Sequence, residues 1–142
     1  MPVFLRTAML LVAAAGVLMA GCSRRAPVAP VEGTLKMKGK PLANVKLDFL
    51  SEVSGPRSSG VTDSNGRYTL TCDDGRPGAV VGPHRVVAVD LLIYGDKPIP
   101  RGREEDVLLK PSRLPEGYGD ISKTPWKKEV SEGKNVIDLD IP

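Results

Sequence analysis

The strongest pattern in this chain is an alternation of apolar and polar residues with a period of two. It runs through Val31, Gly33, Leu35 and Met37, then through Val45, Leu47 and Phe49, and finally through Ile137, Leu139 and Ile141. Successive side chains of a β-strand point to opposite faces, so each alternation predicts a half-buried strand. A turn at Gly39-Lys40-Pro41 is expected to separate the first two strands.

Turn signals divide the middle of the chain into further short strands. The segments predicted as strands are residues 60–63, 67–72 and 85–91. Ser64-Asn65-Gly66 joins the first two, because an Asn-Gly pair adopts the positive φ angles of tight hairpins. After Cys22, no ten-residue stretch shows a helical apolar stripe free of Gly and Pro. We therefore expect an all-β domain, an antiparallel β-sandwich with a core of Val, Leu and Ile.

One long segment interrupts this pattern. Residues 93–125 are rich in Gly, Pro and charged residues, and the triplet Tyr-Gly-Asp occurs in it twice, from Tyr94 and from Tyr118. A connection of this length in a compact domain is typically functional or partly disordered. We expect this segment to contribute to a binding surface.

Four short motifs in a fixed order resemble carboxypeptidase regulatory-like domains. They are Val31-Glu32-Gly33-Thr34, Gly39-Lys40-Pro41-Leu42-Ala43-Asn44-Val45, Thr62-Asp63-Ser64-Asn65-Gly66-Arg67-Tyr68 and Gly82-Pro83-His84-Arg85-Val86. The segment 114–141 is similar to small lipoproteins of this class from planctomycete-type bacteria. The resemblance implies a transthyretin-like (prealbumin-like) sandwich of about seven strands. It also implies a non-catalytic module, and it assigns no ligand.

The segment before these strands has the features of an export signal. Arg6 precedes an uncharged run over residues 7–21, which is too short and too rich in Ala and Gly to span a membrane comfortably. The ending Leu18-Met19-Ala20-Gly21-Cys22 resembles the lipobox of bacterial lipoproteins, in which the cysteine is acylated and becomes the new N-terminus. We expect an N-terminal signal helix that is cleaved, with lipid attached to Cys22. The alternative is an ordinary secretory peptide that leaves Cys22 a free thiol.

These features predict three parts and a location. Residues 1–21 form the signal peptide, residues 22–30 the lipidated cysteine with a flexible, Pro-punctuated tether, and residues 31–142 the β-sandwich. Ser23 stands where an inner-membrane retention signal commonly has Asp. The prediction is therefore a protein exported to the bacterial cell envelope, with the outer membrane favoured.

The charge balance does not favour nucleic acid as a partner. The chain has 20 Lys and Arg against 17 Asp and Glu. Lys36, Lys38, Lys40 and Lys46 alternate with apolar residues, as on a solvated strand face, and do not form a basic patch. The expected partners are the membrane, through the lipid on Cys22, and an envelope protein or glycan.

Candidates for catalysis or metal binding are few. His84 is the single histidine and no Gly-x-Ser-x-Gly motif is present, so the sequence does not favour an enzyme. Cys72 has the inward parity of a small buried hydrophobe. Asp63-Ser64-Asn65-Gly66 is similar to the start of a calcium loop, but the remaining oxygen ligands are missing. We expect neither a metal nor a cofactor.

Aromatic residues supply the remaining candidates for ligand contact. Trp126 is the single tryptophan, and its parity favours a position in the core or at its edge. If it were exposed, it could stack on a sugar ring together with Tyr94 or Tyr118. Two functions follow from the sequence: a non-catalytic structural or protein-interaction lipoprotein, or alternatively a carbohydrate-binding module of the cell surface.

Overall fold

A computed structural model describes residues 24–94 and 110–142 and shows an all-β sandwich. Its strands are β1 (Val28–Ala29), β2 (Val31–Met37), β3 (Lys40–Pro41), β4 (Val45–Ser51), β5 (Ser58–Val61), β6 (Arg67–Thr69), β7 (Thr71–Cys72), β8 (Ala79–Val80), β9 (Gly82–Asp90), β10 (Lys127–Val130), β11 (Asn135–Val136) and β12 (Leu139–Ile141). A 3-10 helix, Leu91–Tyr94, is the one helical element of the described part. The predicted signal helix lies outside the described residues.

The larger sheet is antiparallel and has the strand order β10-β9-β4-β5-β7. Its centre is the pairing of β4 with β9, which runs from Val45 opposite Asp90 to Ser51 opposite His84. Both strands follow the predicted alternation, so Val45, Leu47 and Phe49 are buried. Strand β9 is longer than predicted, because the residues from Gly82 onwards already pair with β10.

The smaller sheet is built around β2. Strands β6 and β3 pair with one of its edges in antiparallel orientation, whereas β11 and β12 pair with the other edge in parallel. The prediction of a purely antiparallel sandwich is therefore wrong at this edge. Strand β10 ends at Val130, which lies opposite Gly82. The turn that follows brings Asn135 opposite Val31, at the start of β2. From there, β11 and β12 run in the same direction as β2.

Gly33 is required where β2 passes the chain between β11 and β12. A Cβ atom at this position would lie 1.8 Å from the carbonyl oxygen of Ile137. The same oxygen accepts a hydrogen bond from the hydroxyl of Tyr68. Burial raises the pKa of Tyr68, so this hydroxyl stays protonated and remains a donor.

The core consists of the inward-facing residues of both sheets. The largest fully buried hydrophobic side chains are Phe49, Leu35, Leu47, Leu139, Ile141, Val45, Val80, Val86 and Val130. Most of them occupy positions whose parity the sequence pattern identifies. Asp48 is an exception to the pattern, because it has outward parity but is only 8% exposed. It is flanked by Lys46, whose Nζ atom lies 3.4 Å from the Asp48 carboxylate, and by Arg57.

The turn after β2 differs from the prediction. Lys38 and Gly39 have φ angles of 51° and 77°, and Met37 pairs with Lys40. This is a two-residue hairpin of the type that needs positive φ at both central positions. The turn is therefore centred at Lys38-Gly39, one residue earlier than expected, and Pro41 belongs to β3.

The turn at Asn65-Gly66 also has a different form. Only Gly66 has a positive φ, 72°, and the Asp63 carboxylate accepts hydrogen bonds from the backbone N–H groups of Asn65 and Arg67. The strands on its two sides separate, since β5 pairs within the larger sheet and β6 pairs with β2. The motif therefore connects the two sheets at a corner.

Candidate interaction surfaces

One end of the sandwich is where the first described residues join the domain. We call it the tether end and define it by residues 26–29, 51–57 and 74–82. Strand β1 pairs with β8, and Ala29 is 3% exposed. The N–H of Val81 donates to the carbonyl of Pro27 at 2.9 Å. Residues 26–30, which the sequence assigns to the flexible tether, are thus held on the domain by backbone pairing and burial.

Arg76 holds the first of these residues in place. Its Nη1 donates to the carbonyl of Ala26 at 2.7 Å, while its Nε donates to the carboxylate of Asp74 at 2.9 Å. The pKa of Asp74 is lowered, first by this side-chain hydrogen bond and also by the positive charges of Arg76 and Arg25. Arg24 and Arg25 are exposed just before this point.

Cys22, the predicted lipid attachment residue, lies outside the described residues, as does the predicted signal peptide. Within residues 24–94 and 110–142, no helix has the length and hydropathy needed to cross a membrane.

The opposite end of the sandwich carries the two stems of the long segment. We call it the stem end and define it by residues 36–44, 90–94 and 110–114. The N–H of Lys110 donates to the carbonyl of Ile93 at 3.0 Å, so the two stems are hydrogen-bonded to each other on either side of residues 95–109. Strand β9 has nine residues and separates the two ends by about 27 Å.

Asp90 and Arg113 form the main contact between these stems. Nη2 and Nε of Arg113 donate to the two carboxylate oxygens of Asp90 at 2.7 and 3.0 Å, and the N–H groups of Arg113 and Leu92 also donate to that carboxylate. Arg113 Nη2 further donates to the carbonyl of Ala43 at 2.8 Å. The hydrogen bond from the Arg113 side chain is the main reason why the pKa of Asp90 is lowered. The buried carboxylate is therefore a charged anchor.

The second half of the predicted loop 93–125 packs along β9. The N–H of Ala88 donates to the carbonyl of Tyr118, and the hydroxyl of Thr124 donates to the carbonyl of Val86 at 2.6 Å. Residues 110–125 thus lie along one edge of the larger sheet and do not form a free loop. Residues 95–109 lie outside the described part.

Trp126 lies in the core and offers no open ring face. It is 6% exposed and meets Tyr118 in an edge-to-face contact, with ring centroids 4.7 Å apart. The prediction of a core position is confirmed, and the alternative of Trp126 as a sugar-stacking platform is not met by this placement. Tyr94 ends the 3-10 helix, and its side chain lies outside what the structure describes.

An open cleft of about 620 Å³ lies on the outer face of the smaller sheet. Glu32, Asp63, Arg67, Val136 and Asp138 are among its lining residues. Val136 is 64% exposed, and the Asp138 carboxylate accepts hydrogen bonds from the backbone and hydroxyl of Thr34, both at 2.9 Å. The cleft is lined by charged side chains together with exposed apolar ones, among them Val136.

His84 and Cys72 are both internal. His84 is 1% exposed, its Nδ1 lies 3.0 Å from the carbonyl oxygen of Gly82, and its Nε2 has no partner among the described residues. Burial lowers the pKa of His84. The thiol of Cys72 lies 3.2 Å from the Ser58 hydroxyl, confirming its inward position.

Among the described residues, no group of three or more His, Cys, Asp or Glu is placed to hold a metal ion.

The Asp90–Arg113 contact was not predicted from the sequence, although a signal for it exists. Asp90 has the same parity on β9 as Val86 and Ala88, which are buried. A carboxylate at an inward position needs a cationic or hydrogen-bonding partner. The identity of that partner could not be read from the sequence, because Arg113 is 23 residues away across an irregular segment.

No family model, curated protein or solved structure matches this chain.

Proposed function

We propose that this chain is a lipid-anchored protein of the bacterial cell envelope whose β-sandwich is a non-catalytic structural or protein-interaction module. Cys22 carries the acyl chains, and the domain presents its stem end and sheet edges to an envelope protein. In a bacterium with two membranes, the outer membrane is the favoured location, because Ser23 follows the cysteine.

The observation that carries the proposal is the short interval between the lipobox-like ending and the domain. Leu18-Met19-Ala20-Gly21-Cys22 is followed at Ala26 by residues that bond to Arg76 and then pair with β8. Two or three acyl chains on one residue are sufficient for stable membrane attachment, since one chain alone binds only marginally. A lipid on Cys22 would therefore hold the whole domain at the membrane surface.

The finer fold proposed is a carboxypeptidase regulatory-like, transthyretin-like sandwich. The four ordered motifs support it, because in the structure they occupy the start of β2, the β3–β4 connection, the corner between the sheets and the start of β9. Two of the motifs thus lie at turns, and the other two form the first residues of long strands.

The stem end is the proposed partner-binding end. The Asp90–Arg113 contact and the Lys110–Ile93 hydrogen bond give it a rigid base. Exposed Lys38 and Lys40 lie in the adjoining β2–β3 hairpin. A preorganised surface of this kind loses less conformational entropy on binding than a free loop.

The carbohydrate-binding alternative has weaker support. It requires an exposed aromatic platform, whereas Trp126 is buried against Tyr118. Tyr118 itself is half-buried and its ring packs against Trp126. We therefore favour a protein partner.

Intact mass spectrometry of membrane-extracted protein tests the anchor, and in-cell cross-linking tests the module. The expected mass is that of residues 22–142 plus two or three acyl chains, and a Cys22→Ala variant should carry none. Cross-linking of the wild-type protein should then recover one envelope protein that is lost with Cys22→Ala. A mature mass without lipid would refute the anchor, and recovery of lipid alone would refute the interaction role.

A further inference from the structure

The tether end combines three features that suit a membrane surface. The chain between Cys22 and the first fixed residue, Ala26, can extend to at most about 14 Å. Arg24 and Arg25 lie in that interval and are exposed. A large apolar side chain, Val53, is 64% exposed in the loop after β4.

Val53 lies close to the point where the tether joins the domain. A Cβ atom on Gly82 would be 3.5 Å from the Val53 side chain, and one on Gly55 would be 3.4 Å from Cβ of Ala26. The loop 51–57 therefore lies against Ala26, β8 and the start of β9. The exposed Val53 and the two arginines that precede Ala26 thus belong to the same end of the domain.

The acidic residues of the tether end are mostly neutralised. Asp74 pairs with Arg76 at 2.8 Å, Glu52 with Arg85 at 2.8 Å and Asp73 with Arg57 at 3.2 Å. Arg24 and Arg25 have no ion pair with a carboxylate of the described residues. The exposed Glu129 and Glu132, next to this end on β10 and in the turn after it, also lack one there. Arg24 and Arg25 therefore add positive charge just before Ala26.

We propose that the tether end is a membrane-contact surface, in which Arg24 and Arg25 bind anionic lipid headgroups and Val53 reaches the interfacial layer. The proposal rests on the acylation of Cys22 proposed above, because that anchor brings the surface to the bilayer. Since β9 separates the two ends by about 27 Å, the stem end then faces away from the membrane.

The physical basis is electrostatic attraction combined with a short tether. A basic residue close to an anionic surface increases its affinity by about fivefold. With the acyl chains already inserted, Arg24 is at most about 7 Å of chain from Cys22, which is within the range over which this attraction acts at physiological salt, about 8 Å. A long tether would let the domain rotate freely.

Depth-dependent fluorescence quenching tests the orientation in the acylated full-length mature protein. A fluorophore is attached at Val53→Cys or, as the control at the opposite end, at Lys40→Cys; Cys72 is buried and should remain unlabelled. The protein is reconstituted into vesicles of phosphatidylglycerol and phosphatidylcholine that carry a headgroup quencher. The position-53 probe should be quenched and the position-40 probe should not. Equal quenching at both positions, or quenching at position 40 alone, would overturn the proposal.

A charge variant tests the role of the arginines. Arg24→Gln with Arg25→Gln should lower the ratio of membrane-resting to detached domain by about 25-fold, which is fivefold for each arginine. The matched variant, Lys38→Gln with Lys40→Gln, removes the same charge at the stem end and should leave quenching at position 53 unchanged. If quenching at position 53 stays at the wild-type level both in the arginine variant and when the wild-type protein is placed on vesicles of pure phosphatidylcholine, headgroup binding is wrong.

The mass of the reconstituted protein separates the two proposals. If acyl chains are absent, the anchor proposal fails and the membrane-contact surface fails with it. If they are present and the position-53 probe is not quenched, the membrane-contact surface alone is wrong.

Discussion

Arg113 donates through Nη2 and Nε to both carboxylate oxygens of Asp90, at 2.7 and 3.0 Å, while the Asp90 side chain is only 1% exposed. This pair joins the end of β9 to the chain that returns after residues 95–109. A buried carboxylate with a two-point guanidinium contact has a fixed geometry, because both partners are planar. The pair therefore defines the shape of the stem end.

Arg113→Ala is expected to destabilise the domain by about 2–3 kcal/mol. Removal of one partner of a buried pair typically costs about 3–5 kcal/mol, and the partial exposure of Arg113, 32%, places the expected value lower. Arg67→Ala, at an exposed arginine without an ion pair to a described carboxylate, is the control and should cost at most about 0.5 kcal/mol. Urea unfolding followed by Trp126 fluorescence measures both. Equal losses would contradict the assigned role.

The Asp90 carboxylate also makes stability depend on pH in the acid range. Its pKa is lowered in the folded protein, chiefly by the Arg113 hydrogen bond, from the ordinary value of 3.8. The unfolded chain therefore takes up a proton first, so the contribution of Asp90 is complete above about pH 4 and is lost as pH falls through its folded pKa. Asp90→Asn should reduce the acid slope of the unfolding free energy. An unchanged slope would mean that the pair is not formed in solution.

His84 should make stability depend on pH in a higher range. Burial lowers its pKa from the ordinary value of 6.5, although Glu129 and Glu52 partly offset this effect. As pH falls below about 6.5, the unfolded chain binds a proton that the folded protein does not, and stability falls. His84→Leu should remove this dependence between about pH 6.5 and 5. Because His84 is the single histidine, a slope that persists in the variant would contradict the prediction.

Trp126 provides a direct test of core packing. Its emission should be blue-shifted and insensitive to soluble quenchers and to glycans, since it is 6% exposed. Trp126→Ala should destabilise the domain by about 3–5 kcal/mol, and Trp126→Phe by less, because Phe keeps an aromatic ring against Tyr118. A red-shifted emission that glycans quench would instead restore the carbohydrate-binding alternative.

Gly33→Ala tests the parallel contact between β2 and the chain that carries β11 and β12. The added methyl group would overlap the carbonyl of Ile137, so we expect a loss near the upper end of the 1–3 kcal/mol that overpacking typically costs, about 3 kcal/mol. Gly119→Ala is the control, because its Cβ would lie 3.4 Å from the carbonyl oxygen of Ala88. The measurement is thermal unfolding of the two variants side by side, and a tolerated Gly33→Ala would contradict the close approach.

Strand positions and inward residues were largely predictable, whereas pairing partners were not. The period-two pattern correctly placed Leu35, Leu47 and Leu139 in the core. It could not show that β12 pairs with β2 in parallel, because parity identifies a face and carries no information about direction. The same limit explains the tether, since Ala29 has no periodic context and its burial depends on pairing with Ala79.

The candidate interaction surfaces likewise combine features that are local in sequence with features that depend on distant residues. The lipobox-like ending and the tether arginines are local features that the sequence alone supplies, and they remain the basis of the proposed anchor. The Asp90–Arg113 contact and the contact of loop 51–57 with Ala26 depend on residues that are distant in sequence.

By itself, the sequence determined the all-β class, the main strands, most of the core and the expectation of a lipid anchor. These follow from local rules, namely strand periodicity, turn propensity and the short signal motif. Tertiary structure alone decided the direction of β12, the edge-to-face contact of Trp126 with Tyr118 and the separation of the tether end from the stem end. Each depends on which distant surfaces meet, and that is decided by packing of the whole chain.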